Sequence, residues 1–257
     1  MKQRYGLSAA FLKSLAALFM LVDHIGVAFP HLASDLGLPA ALDLLPRLIG
    51  RLAFPIFAYF LAEGCRRTRF FSRYLFRLGL FTLIAQIPYT LLTGVWGGSI
   101  MLSFFLSACA IYGFEQLSRR NRGPAVAALP LFASCVLALL LNTDYGFPAV
   151  VLVFSLYLCG EERKKQLLCM GIGLALFYLI YLPLGQLLAA LSTMTQAAFG
   201  GYIAQVFSLY GIYGLCAELS LLLLAGYRGQ LGIQNKWFFY VFYPAHLLGL
   251  WALSNVL

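Results

Sequence analysis

Asp23 and His24 stand side by side inside the apolar run 9–29 (AAFLKSLAALFMLVDHIGVAF). An acid and an imidazole are costly in a segment that reads as membrane-spanning. Ionisable groups at such depth face a protein interior or a water-filled cavity, and they mark functional sites. A histidine in a dry site can take a proton from an amine or a hydroxyl. Neighbouring helix positions point about 100° apart, so the two side chains cannot share a direction. The spacing suits His24 aimed at the bundle interior and Asp23 paired with a cation on the next helix, for which Arg51 is the natural candidate. Arg51 could also stabilise an oxyanion formed at the same site.

The other polar groups in apolar surroundings are fewer. The run 50–64 (GRLAFPIFAYFLAEG) carries Pro55, which invites a kink. Glu63 at its end has a local ion pair with Arg66 or Arg67 as its plainest role. The stretch 65–78 (CRRTRFFSRYLFRL) is the densest basic segment. Arg66, Arg69, Arg73 and Arg77 recur there at helical spacing among Phe70, Phe71, Tyr74 and Phe76. Fork-shaped guanidinium groups interleaved with aromatic rings suit an anionic, phosphate-bearing ligand. Acetyl coenzyme A, with phosphates to grip and an adenine to stack, fits that description. His246 sits in YPAHL beside Tyr243, and Gln86, Ser99, Ser103 and Asp144 could line a cavity. No glycine-rich phosphate loop is present. Three histidines without paired His or Cys–His spacing give no basis for a metal site.

These groups must be positioned by apolar helices. Of 257 residues, 62% are hydrophobic and 11% charged, against about 25% charged in a soluble domain. Runs of the ~20 residues needed to cross hydrocarbon recur throughout. The chain therefore reads as all-α, one integral-membrane domain over 1–257 with about nine spans. They fall near 9–29, 47–64, 78–93, 99–117, 124–141, 147–160, 166–184, 203–226 and 237–253, with 185–202 left as a loop or interfacial helix. The net charge of +9 is parcelled into alternate gaps, the positive-inside pattern, rather than along one face as a nucleic-acid binder would have it. Lys2 and Arg4 place the N-terminus in the cytoplasm on that rule, and Arg47 and Arg51 are its exceptions. The six cysteines show no CxxC spacing and read as apolar packers.

Five stretches, taken together and in order, resemble the TraX family: LKSLAALFMLVDHIG (12–26), IGRLAFPIFAYFLAEG (49–64), RYLFRLGLFTLIAQIPY (73–89), DYG (144–146) and KWFFYVFYPAHL (236–247). Ser99 and Ser103 stand where that family's pattern has Asn and Thr. The family's named member acetylates the N-terminal amine of a conjugative pilin, so the resemblance implies acetyl transfer at a membrane. A looser similarity joins the first span to larger membrane acyltransferases that acetylate polysaccharides. It implies that His24 is the catalytic base and that Arg73 and Arg77 contact the donor.

The expectation is a multi-pass acetyltransferase of the bacterial inner membrane, in which His24, oriented by Asp23 or by another carboxylate, deprotonates the acceptor and an acetyl group moves from acetyl-CoA to a protein amine, a glycan or a lipid. A small proton-coupled transporter or lipid flippase is the rival; the absence of internal repeats disfavours it. A donor held at the inner arginines and a base deep in the bundle require a continuous tunnel between them.

Overall fold

In the computed structural model, residues 6–191, 196–233 and 236–256 are described. Lys2 and Arg4, which carry the expectation for the N-terminus, lie outside them. Every named element is helical: α1 (Ala9–Ala28), α2 (Leu32–Asp35), a 3-10 turn (Ala40–Leu44), α3 (Leu45–Gly50), α4 (Ala53–Arg67), α5 (Phe71–Thr93), α6 (Ile100–Arg119), α7 (Pro124–Leu140), α8 (Gly146–Leu158), α9 (Arg163–Leu176), a π turn (Phe177–Tyr181), α10 (Leu182–Leu191), α11 (Gln196–Gly226) and α12 (Lys236–Ser254).

Among the described residues, six helical stretches are long and apolar enough to cross a membrane: Ala9–Ala28, Ala40–Arg67, Phe71–Thr93, Ile100–Arg119, Arg163–Leu191 and Phe199–Gly226. The sequence suggests about nine, and the difference lies in three helices. α8, at 13 residues, rises only about 20 Å against ~30 Å of hydrocarbon. α7 is also short at 17 residues, and α12 is diluted by Tyr240, Tyr243, Pro244 and His246. The outer surface is that of a protein in lipid, with Leu83, Ile87, Leu140, Leu215 and Leu222 all well exposed; a soluble protein does not expose that much apolar surface.

Local chemistry sets the element ends that matter for the site. The Ser8 side chain caps α1 by accepting from Phe11 N–H. Two further orphan N–H groups of that first turn, on Ala9 and Ala10, donate to the Gln230 and Leu231 carbonyls. α1 stops before Pro30, which biases the residue ahead of it away from helix. The second apolar run is broken at Arg51–Leu52 into α3 and α4. Pro55 thus falls in the first turn of α4, where a missing N–H costs nothing, instead of kinking a span.

The basic segment also departs from one continuous helix. α4 ends at Arg67, residues 68–70 turn, and α5 restarts at Phe71, so Arg66, Arg69, Arg73 and Arg77 do not share a face. The stretch 185–202, expected as a loop or interfacial helix, continues the helix to Leu191 and resumes it at Gln196. The core is built by α4, α6 and α8, with α1 packed on α3 and α4, and α12 on α5.

Candidate functional site

Asp23 ties α1 to α3 and the turn after it. Its Oδ2 accepts from Arg47 Nη1 and its Oδ1 from Arg51 Nη2, each at 2.8 Å. Arg51 Nε donates to the Arg47 carbonyl, and its guanidinium lies 5.3 Å from the centre of the Tyr213 ring. The two arginines that break the charge alternation are therefore the two committed to Asp23. Gly50 makes the approach possible: a Cβ there would sit 2.2 Å from Asp23 Oδ1 and 2.3 Å from Asp23 Cβ.

One turn of chemistry away, His24 is buried and its Nδ1 lies 2.8 Å from His246 Nε2 of α12. His246 Nδ1 in turn lies 2.7 Å from the Phe242 carbonyl oxygen. Asp23, with both oxygens on arginines, makes no hydrogen bond to His24 among the described residues. The orienting partner of the histidine is thus a second histidine, 222 residues away in sequence.

A cavity of about 390 Å³ opens along one face of each surrounding helix. α4 contributes Ala53, Phe54, Phe57, Phe60, Leu61, Gly64 and Arg67, the i, i+3, i+4 succession of one helix face. α1 contributes Lys13, Met20, Asp23 and His24, and α12 contributes Phe239, Tyr240 and Tyr243. One end is basic, lined by Lys13, Arg67 and Arg77 with Thr68 and Tyr74; the other holds His24, Asp144, Tyr145 and Tyr243. Lys13 and His24 are 11 residues apart on α1, about 16 Å at 1.5 Å per residue. The wall between them is mostly aromatic and aliphatic.

A second cavity, also about 390 Å³, is lined by Arg66, Arg69, Arg73 and Arg119 with Phe70, Phe71 and Tyr112. Thr68 lines both. Arg77 lines the chamber that holds His24, whereas Arg73 lines the second cavity, so the continuous passage expected from Arg73 to His24 is divided between two cavities that meet at Thr68. Phe70 stacks under Arg73 and Arg69, at 4.8 and 5.5 Å from the ring centre.

Several residues singled out in the sequence have structural partners. Arg66 Nη1 donates to the Leu156 carbonyl at 2.8 Å. Glu63 pairs with Arg67 at 2.9 Å and accepts from the Tyr227 hydroxyl. Gln86 donates to the Gly97 carbonyl and accepts from Ser99 N–H, pinning the turn before α6. Neither Arg51, Gln86, Ser99, Ser103 nor Glu63 lines the chamber that holds His24, so Arg51 is not placed to meet an oxyanion there. Ser99 and Ser103 are fully buried, the former beside the Tyr243 hydroxyl.

Asp144 does reach the chamber. Its backbone N–H donates to the Gly98 carbonyl at 2.8 Å, docking the turn after α7 onto the one before α6. Tyr145 beside it stacks on Phe54 (3.9 Å between ring centres) and on Phe177 of the π turn (5.3 Å). The Tyr243 hydroxyl is buried beside the Ser99 side chain, and its ring stands edge-on to His24 at 6.1 Å. Sequence reasoning missed Lys13 and Arg67 as cavity cations. Lys13 carried a signal: it precedes Met20 and His24 by seven and eleven residues, one helix face.

The chain is similar to known proteins along most of its length. A protein of Dichelobacter nodosus named "Probable fimbrial assembly protein FimC, serogroup H1" is 27% identical, covering 96% of each chain. An uncharacterized protein of Rickettsia prowazekii (strain Madrid E) is 26% identical over 67% of this chain and 66% of its own length. No solved structure matches. Residues 8–254, nearly the whole chain, match the family described as TraX protein, and the chain belongs to the TraX family.

Proposed function

We propose that this protein is a membrane-embedded acetyltransferase that moves an acetyl group from acetyl-CoA to an amine or hydroxyl acceptor. One observation carries the reading: a single chamber joins a basic mouth at Lys13, Arg67 and Arg77 to His24, about 16 Å away along α1. That shape suits a donor with a phosphate-bearing head, a long flexible arm and a reactive thioester at its tip. The adjoining basic cavity, with Arg69 and Arg73 over Phe70, suits the nucleotide end, where guanidinium groups meet phosphate and rings meet adenine.

At the far end His24 acts as general base. Its free ring nitrogen takes the proton of the acceptor as the acceptor's nitrogen or oxygen bonds to the acetyl carbonyl carbon. The tetrahedral oxyanion receives a hydrogen bond from the buried Tyr243 hydroxyl, in the manner of a preorganised oxyanion site. Collapse breaks the carbon–sulfur bond, and the coenzyme A thiolate recovers the proton from His24. Asp23, Arg47 and Arg51 hold α1 in register.

By the charge alternation, the basic mouth faces the cytoplasm of a bacterial inner membrane, where acetyl-CoA is made. The acceptor is a protein N-terminus, a glycan or a lipid reaching the His24 end, and the fimbrial-assembly name of one relative favours a protein of a surface fibre.

The test uses the full chain in lipid nanodiscs. Coenzyme A and acetyl-CoA should raise its melting temperature while adenosine does not. Thiol release from acetyl-CoA should be followed with an alanyl peptide, a glucose oligomer and phosphatidylglycerol as acceptor probes, and His24→Ala should abolish it. Equal stabilisation by adenosine, or wild-type turnover by His24→Ala, rejects the reading.

A further inference from the structure

The contact between His24 and His246 fixes where the hydrogens lie. A carbonyl oxygen only accepts, so the 2.7 Å contact between His246 Nδ1 and the Phe242 oxygen places a hydrogen on Nδ1. A neutral imidazole has one donor nitrogen and one acceptor. His246 Nε2 is then the acceptor, and the hydrogen in the 2.8 Å contact belongs to His24 Nδ1. By the same count His24 Nε2 is left with its lone pair. His24 lines the chamber and His246 does not, so Nε2, which has no hydrogen-bond partner among the described residues, is the nitrogen available to substrate.

We propose that His246 is a positioning residue for acetyl transfer, holding His24 in the Nδ1–H tautomer so that Nε2 receives the acceptor's proton. This rests on the reading of His24 as the base. The arrangement does with a second imidazole and a helix carbonyl what a carboxylate does in a Ser-His-Asp triad: it orients the ring and selects its tautomer. The difference is the absence of a negative charge behind the base. When Nε2 takes the proton, Nδ1–H keeps donating to the neutral His246 Nε2, and the positive charge stays on His24 until the thiolate reclaims the proton.

α12 supplies the geometry. His246 and Phe242 are one helical turn apart, so the side chain can fold back on the carbonyl of its own preceding turn. Tyr243, one position beyond Phe242, lines the chamber. One helix thereby carries both the residue that orients the base and the proposed oxyanion donor.

The experiment is ¹⁵N-histidine NMR on the full chain in nanodiscs, which needs no acceptor. The chain has three histidines, so His31→Gln and His24→Gln variants assign the signals. In the wild type His24 should show a protonated Nδ1 and a bare Nε2. In His246→Ala, and in His246→Phe, which keeps the ring's bulk without a nitrogen, that tautomer preference should be lost. Turnover with the alanyl peptide should fall by about 10²–10⁴-fold, the usual share of a positioned acid–base group, with KM for acetyl-CoA unchanged. His246→Gln, whose amide oxygen can accept from Nδ1–H, should restore a substantial part. An unchanged His24 tautomer, or wild-type kcat, in both His246→Ala and His246→Phe overturns the proposal while leaving His24 as base. Wild-type turnover by His24→Ala instead removes the acetyl-transfer reading and the role of His246 with it.

Discussion

Asp23→Ala tests most directly how the first helix is held. The carboxylate accepts from two guanidinium groups at 2.8 Å, with Asp23 16% exposed, Arg51 14% and Arg47 32%. Truncation leaves two cations facing each other inside an apolar bundle. Removing one partner of a buried ion pair costs about 3–5 kcal/mol, because the remaining charge is stranded. Arg47, a third exposed, can turn outward, so the loss should stay within that range rather than double. For a chain near this length, about 2–4 °C of melting temperature accompanies each kcal/mol. The expected fall is therefore about 6–20 °C, read by thermal unfolding in nanodiscs. The control replaces the whole cluster with Asp23→Leu, Arg47→Met and Arg51→Met. Apolar replacement of a complete buried ion cluster is often neutral or stabilising, so the triple variant should regain most of the loss. An Asp23→Ala protein that melts with the wild type, or a triple variant that melts below the single one, refutes the reasoning.

Two further perturbations probe the neighbouring geometry. Gly50→Ala puts a methyl 2.3 Å from Asp23 Cβ, a contact no Asp23 rotamer relieves, so α1 and α3 must separate; overpacking of this kind costs about 1–3 kcal/mol. Its melting temperature and its rate of thiol release should both drop, and wild-type melting would show that the helices do not approach so closely. Lys13→Ala with Arg77→Ala removes two cations from the chamber mouth. At about 1.5–3 kcal/mol per hydrogen bond to a charged group, coenzyme A binding measured by calorimetry should weaken at least tenfold. Arg120→Ala, outside both cavities, should leave it unchanged; an equal loss there would mean that bulk charge, not these side chains, binds the donor.

The sequence and the structure agree where composition and spacing act locally. α7 spans Pro124–Leu140 against an expected 124–141, because Pro at the first turn and apolar continuity are properties of the segment itself. The Asp23–Arg51 pair was readable for a similar reason: an acid buried in a span needs a cation at matching depth, and few exist. Arg47 and Arg51 looked like errors in the charge alternation because the rule counts loop charges, whereas these two are spoken for by Asp23. The break at residues 68–70 was not readable, since arginines at helical spacing on either side of a turn look the same as arginines on one helix.

What the sequence by itself determined is the class of molecule and the residue at its centre. A helical bundle follows from 62% hydrophobic residues in long runs, since lipid leaves backbone polar groups no other way to be satisfied by a single segment. His24 follows from the cost of placing an ionisable group among them. Only the tertiary structure decided what His24 touches. Its partner lies 222 residues downstream, on a helix that reaches it by packing, and hydrophobic patterning states which face of a helix is buried but not against which other face. The chamber from Lys13 to His24 has the same origin. It is the space left where faces of α1, α4, α5, α6 and α12 fail to close on one another, and no single segment encodes that gap.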